Sequence, residues 1–264
     1  MVDRTFTYDS ENHLMSMNGG TVTLLYDGDG NRVGKTANGV VTKYLVDDLN
    51  PTGYAQVVDE LVGGVVTCTY THGLQRVSEG QVINSAWTPS FYGYDGFGTV
   101  RDLTNAAGAI TDTYDYDAFG NKINSTGTTP NNYLYRGEQF DPDLGLYYLR
   151  ARYYNPATGR FLSRDPEDGK PIDPKTLHKY LYAGGDPVNA LDPTGRADEV
   201  DVALTTAKVI QKVTFAALAI SSCGAWAILS DQIATSEIPN NANNRGLGLF
   251  AGIGCIASVF GVLF

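Results

Sequence analysis

Tyr94-Asp-Gly-Phe-Gly-Thr-Val-Arg101 and Tyr116-Asp-Ala-Phe-Gly-Asn-Lys-Ile123 are two copies of one short pattern, and reading that pattern decides the fold. A third copy is Tyr26-Asp-Gly-Asp-Gly-Asn-Arg-Val33, and a weaker one is Tyr8-Asp-Ser-Glu-Asn-His-Leu14. Each has Tyr-Asp, two loosely chosen residues, then Gly or Asn, then an alternating segment. The physics is that of a hairpin: Asp caps the turn through its side chain, Gly or Asn supplies positive φ, and Tyr packs across the strand pair. Tyr8 and Tyr26 are 18 residues apart, and Tyr94 and Tyr116 are 22 apart. That is room for two short strands with their turns, so the unit is a repeated β-hairpin. Calcium binding by these aspartates is the rival reading, and their spacing lacks the EF-hand pattern.

Working outward, period-2 alternation over 21–26, 40–46, 65–70 and 109–114 predicts further strands. Asn50-Pro-Thr-Gly53 and Trp87-Thr-Pro-Ser-Phe91 read as loops, and residues 125–132 as a Ser/Thr/Gly/Pro/Asn linker. The 30 Gly, 11 Pro and 17 Tyr in 264 residues agree with many short strands joined by tight turns. A formal charge of −10 argues against a nucleic-acid-binding surface, which needs clustered Lys and Arg. Cys68, Cys223 and Cys255 are odd in number and form no C-x-x-C pair, so neither a disulfide framework nor a thiolate metal site is indicated. His13, His72 and His178 lie far apart, without ligand spacing; no metal and no cofactor is expected. The opening Met-Val-Asp-Arg-Thr-Phe lacks the basic and apolar segments of a secretory signal.

After Gly195 the character changes. Residues 197–212 suit an amphipathic helix, and 213–230 and 246–264 carry no charge, each approaching the ~20 residues of a membrane-spanning helix. The connector 231–245, with Pro239 and four Asn, is turn-like. Gly248-Leu-Phe-Ala-Gly252 fits the small-xxx-small pattern of close helix contact. The tail therefore reads as an apolar helical hairpin, either in a membrane or buried against protein.

The segment between repeat and tail carries a family resemblance. It contains Tyr133-Leu-Tyr-Arg-Gly-Glu-Gln-Phe-Asp-Pro-Asp-Leu-Gly-Leu-Tyr-Tyr-Leu-Arg150, then Ala-Arg-Tyr-Tyr-Asn-Pro-Ala-Thr-Gly-Arg-Phe-Leu-Ser-Arg-Asp-Pro166. Lys179-Tyr-Leu-Tyr-Ala-Gly-Gly-Asp-Pro-Val-Asn189 and Asp192-Pro-Thr-Gly195 follow. Residues 116–195 resemble the Rhs repeat-associated core domain of Rhs and Tyr-Asp-repeat polymorphic toxins and of the C components of Tc toxins. The resemblance implies a mainly β fold: a partial, shell-like sheet of Tyr-Asp hairpins over 1–124, a core domain over 125–196, and an effector-like helical tail over 197–264. It implies that the core closes the end of a shell holding the tail as cargo. It also implies self-cleavage after Asp-Pro-x-Gly by two aspartates resembling an aspartic-protease pair, with an arginine at the same site. On matching positions these are Asp165, Asp192 and Arg152, and the scissile bond is Arg196–Ala197.

The chemistry is coherent. Two carboxylates held close cannot both ionise easily, so one stays protonated while the other activates a water. A guanidinium holds one aspartate ionised or stabilises the oxyanion. The bland reading is that Asp165 and Asp192, each before a Pro, only initiate turns, and that Arg152 is a salt-bridged core arginine. Asp186 is a reserve second aspartate; Asp168 and Asp173 fall in a solvated loop. The chain has Arg196 where the family usually has an apolar residue, a longer interval from Asp165 to Asp192, and few repeats. The partners implied are the cleaved tail itself, an immunity protein, a target membrane and other chains completing the shell. The localisation implied is bacterial, with delivery by a secretion system. A non-enzymatic scaffold whose tail is an anchor or internal plug is the alternative, and a soluble toxin enzyme in the tail ranks last, because 197–264 has no His and no Gly-rich phosphate loop.

Overall fold

A computed structural model describes residues 4–50, 52–166, 168–169, 171–172, 174–196 and 200–201. The chain divides into two units, Met1–Val200 and Asp201–Phe264, and the fold described is that of the first. The expected helical tail lies outside the described residues.

The first part is one twelve-stranded antiparallel sheet in which every strand pairs with its sequence neighbours. Its strands are β1 (Phe6–Tyr8), β2 (Leu14–Met17), β3 (Val22–Tyr26), β4 (Arg32–Ala37), β5 (Val40–Asp47) and β6 (Gln56–Val62). They continue as β7 (Val65–His72), β8 (Arg76–Ile83), β9 (Ala86–Tyr94), β10 (Val100–Thr104), β11 (Ile110–Tyr116) and β12 (Lys122–Thr126). A second, four-stranded sheet follows, made of β13 (Gln139–Asp141), β14 (Leu146–Leu149), β15 (Arg152–Asn155) and β16 (Arg160–Phe161). The fold is mainly β. The helical pieces described are single 3-10 turns, and among the described residues no helix is long and apolar enough to cross a membrane.

The Tyr-Asp turns share one geometry. Asp9, Asp27, Asp95 and Asp117 each accept, on one carboxylate oxygen, the N–H groups two and four residues later, at 2.8–3.0 Å. The N–H of the same aspartate donates to the carbonyl four residues on, at 3.0–3.1 Å. At the fourth position φ is positive: +68° at Asn12, and +76° to +89° at Gly30, Gly98 and Gly120. Only Gly or Asn takes that conformation at little cost, which is why the pattern demands them there. The carboxylate oxygens are thus engaged by the turn itself, and among the described residues no His/Cys/Asp/Glu group is arranged to hold a metal ion.

Two local readings are corrected and one turn is added. A fifth turn of the same geometry is built on Asn105, which accepts from Ala107 at 2.9 Å and Ala109 at 3.1 Å. It has no Tyr-Asp signature, but an amide oxygen accepts as a carboxylate does. The stretch Trp87–Phe91 is not a loop but lies within β9. Pro89 is tolerated because β10 reaches only to Phe91, so no ladder on that side needs the missing N–H. The 125–132 linker begins later, because Ser125 and Thr126 belong to β12.

The second sheet packs on one face of the first. Leu144, Leu146 and Tyr153 join Leu14, Met17, Val22 and Leu24 in one apolar cluster. Tyr147, Leu149, Tyr154, Phe161 and Tyr182 join Val100, Leu103 and Tyr114 in another. Two buried arginines fasten the second sheet and the chain leading into it to the first. Arg32 donates to the Tyr153 hydroxyl at 2.7 Å and to Gln139, contacts Asp141 at 3.4 Å, and lies 4.4 Å over the Tyr148 ring. Arg76 lies 3.1 Å over the Tyr133 ring and donates to the Gly137 carbonyl at 3.1 Å. Aromatic faces and hydrogen bonds offset the cost of drying these cations.

Candidate functional site

The site forms where the second sheet meets the chain that returns at 178–196. β14 and β15 are joined by the two residues Arg150 and Ala151, with Leu149 opposite Arg152. Arg152 therefore opens β15 at the closed end of a tight hairpin. Its guanidinium lies 3.7 Å over the Phe161 ring, and the residue is 3% exposed.

Around this one side chain the sequence-distant parts converge. Arg152 Nη2 lies 2.8 Å from Asp165 Oδ2 and 3.3 Å from Asp192 Oδ2. Its Nε donates to the Gly195 carbonyl, and its Nη1 donates to the Lys179 carbonyl at 3.3 Å. That same Lys179 carbonyl accepts the Asp165 N–H at 2.9 Å, so one backbone group aligns both the arginine and the first aspartate. The second aspartate is oriented from its other oxygen, which accepts the Thr194 hydroxyl at 3.2 Å. Asp192 is 1% exposed, whereas the Asp165 side chain keeps 20% of its surface. Burial pushes the Arg152 pKa below the usual arginine value; the Asp165 charge and then the Asp192 charge oppose the shift without cancelling it.

The expected residues Arg152, Asp165 and Asp192 are thus brought together, and Gly195 joins them. Gly195 has φ +67°, and a Cβ built there would sit 2.2 Å from the Leu149 carbonyl oxygen, so the chain passes too close to β14 for any side chain. Arg196 is exposed, with its N–H donated to Thr194 Oγ1 at 3.1 Å; Ala197 lies outside the described residues. The reserve candidate Asp186 is occupied otherwise. It accepts the Asn189 side chain at 2.9 and 3.1 Å and the Asn189 N–H at 3.3 Å, as a turn aspartate does. Asp168 is exposed, and Asp173 lies outside the described residues.

Sequence reasoning missed Arg150, Glu138 and Thr194. Arg150 Nη1 pairs with both Glu138 oxygens, at 3.0 and 2.9 Å, and donates to the Pro193 carbonyl. No local signal separates such an arginine from a solvated one.

Comparison with known proteins gives three similarities. The chain is 36% identical over 202 residues to the tRNA3(Ser)-specific nuclease WapA of Bacillus spizizenii, a match covering 72% of this chain and 8% of that protein. It is 43% identical over 63 residues to the toxin protein Tse5 of Pseudomonas aeruginosa, which is 23% of this chain and 4% of that one. The fold is similar to part of the Photorhabdus luminescens Tc holotoxin pore with a mutated TccC3 component, with a TM-score of 0.56 over 76% of this chain and 10% of that chain. The chain belongs to the Rhs/Tc-related toxin family.

At 18% identity the Tc likeness speaks for the fold alone. No family model matches the chain. The chain spans less than a tenth of the length of the WapA relative, so this Rhs-type core corresponds to one part of a much longer protein there.

Proposed function

We propose that this Rhs-type core cuts its own backbone at Arg196–Ala197, so that residues 1–196 act as a carrier from which 197–264 is released. One observation carries the reading. A single buried guanidinium contacts Asp165 and Asp192 together and, through its Nε, holds the carbonyl of Gly195, one residue before the bond to be cut. Asp165, the more open of the two, is where a water can arrive and be activated as a nucleophile. Asp192, enclosed and tethered by Thr194, delivers a proton to the leaving amide. Arg152 pins the chain and places positive charge beside the developing oxyanion. Because substrate and site share one chain, proximity is supplied in advance and a single turnover suffices.

In this reading residues 1–124 are the repeat sheet, 125–196 the core, and 197–264 an effector-like segment whose apolar runs act on a membrane. The partners are the cut tail as cargo, an immunity protein that restrains it, a target membrane, and further chains that complete the shell. The setting is a bacterial toxin delivered by a secretion system.

Intact mass of the purified chain tests the cleavage. The wild type is expected as two fragments separating after Arg196, and Asp192→Asn and Asp165→Asn as one uncut chain. A wild type that stays whole from pH 5 to 8 sinks the protease reading. It leaves the three residues as a structural ion-pair cluster and the chain as a scaffold.

A further inference from the structure

The residue two before Arg152 sits in a conformation its side chain does not favour. Arg150 is the first of the two loop residues between β14 and β15, and its φ is +53°. Hairpins this short place Gly, Asn or Asp where φ is positive, because a Cβ crowds the following carbonyl. An arginine held there calls for an account in terms of what its side chain does.

Its side chain makes four connections. Nη1 takes both oxygens of Glu138 and the Pro193 carbonyl, and Nε donates to the Ala55 carbonyl at 3.3 Å. The guanidinium carbon lies 5.2 Å over the Tyr54 ring. Glu138 is itself largely enclosed, with 14% of its side chain exposed, and lies just before β13. Pro193 has no N–H, so its carbonyl is its only backbone handle. The next loop residue continues the grip, since the Ala151 N–H donates to the Thr194 carbonyl at 3.2 Å. Gly195 then presses against the Leu149 carbonyl. The loop at Arg150 and Ala151 is thus a cradle under residues 193–195, and the segment it holds begins at Asp192.

We infer that Arg150, backed by Glu138, is a positioning residue: it clamps the Asp192–Gly195 turn through the Pro193 carbonyl and so sets where Asp192 meets Arg152. It acts through Glu138 and the Pro193 carbonyl and takes no part in proton transfer. As a statement about cleavage this rests on the proposed autoprocessing; as a statement about the turn it does not. The reach of such a clamp is large, because a misplacement of about 1 Å in a reacting group costs on the order of a hundredfold in rate.

The test uses the full chain with Arg150→Gly and Arg150→Lys. Arg150→Gly relaxes the backbone while removing the clamp, so loss of the fold is not its expected outcome. Three readouts are taken: cleavage time course by intact mass, amide hydrogen exchange, and thermal unfolding. Arg150→Gly is expected to cut on the order of a hundredfold more slowly. It is also expected to lose exchange protection at Ala151 and Arg196 while the β13–β16 ladder keeps its own, and to melt lower because Glu138 is left unpaired. Arg150→Lys should recover part of the rate with the wild-type pH profile, because the titrating groups are unchanged. Unaltered protection at Ala151 and Arg196 in Arg150→Gly overturns the inference, whether or not the wild type cuts. So does protection lost evenly across β13–β16, which marks a general structural role. Local loosening in a chain whose wild type never cuts upholds the clamp and defeats only the protease reading. A wild type and Arg150→Gly that cut at equal rates defeat the clamp alone.

Discussion

Glu79 should make the folded chain more stable in mild acid than above neutral pH. It sits on β8, 1% exposed, with Oε2 accepting the Tyr92 hydroxyl, which also reaches Asn131 at 3.3 Å. Burial pushes the carboxyl from its usual value near 4.5 up to about 7; the Tyr92 and Gln81 hydrogen bonds and the Arg76 charge pull it down only in part. The folded pKa is raised, so the folded chain holds the proton more tightly than the unfolded one. Stability from this group is complete below pH 4.5 and is lost as pH rises through 7. Each pKa unit is worth about 1.4 kcal/mol, so the loss at pH 8 is about 3 kcal/mol. Glu79→Gln removes the titration while keeping an oxygen for Tyr92. Urea unfolding of wild type and variant from pH 4.5 to 8 should give similar midpoints at the acid end. The variant should become the more stable by roughly 3 kcal/mol at pH 8. Taking the difference cancels titrations common to both chains, including those of Glu60, whose carboxyl is also raised, and of His72, lowered to about 4. Parallel stability curves for the two chains across that range would refute the reasoning.

Substitutions at two further positions probe the turns and the site. Gly195→Ala puts a methyl group 2.2 Å from the Leu149 carbonyl oxygen at a φ of +67°, so the 193–195 segment must shift; the variant should stay uncut by intact mass and melt lower, and wild-type cutting would count against the site. Asn105→Ala removes the acceptor for the Ala107 and Ala109 N–H groups and should cost about 1–2 kcal/mol in urea unfolding, with Asn105→Asp close to wild type; an unchanged Asn105→Ala would show that the fifth turn does not depend on its cap.

The repeat was legible because its determinants are local. An acceptor at the first turn position and a residue tolerant of positive φ at the fourth act within five residues, so composition and spacing reveal them. That locality also explains the errors. A Tyr-Asp pattern does not find Asn105, whose amide oxygen is the acceptor, and Pro89 reads as a loop because its strand partners lie outside any local window.

The site was only half legible. Arg152, Asp165 and Asp192 were placed by resemblance, motif by motif, and nothing in their own neighbourhoods says that they meet. Their meeting depends on the Lys179 carbonyl, on the Phe161 ring beneath Arg152, and on a glycine squeezed against β14. The roles of Arg32, Arg76 and Arg150 were not legible at all. The hairpin ladder is written locally, because turn chemistry and period-2 alternation are set by near neighbours. Which charges lie dry and what they grip emerges only on folding, because burial and ion pairing bring together residues 40 positions apart, as with Arg152 and Asp192, or 109 apart, as with Arg32 and Asp141.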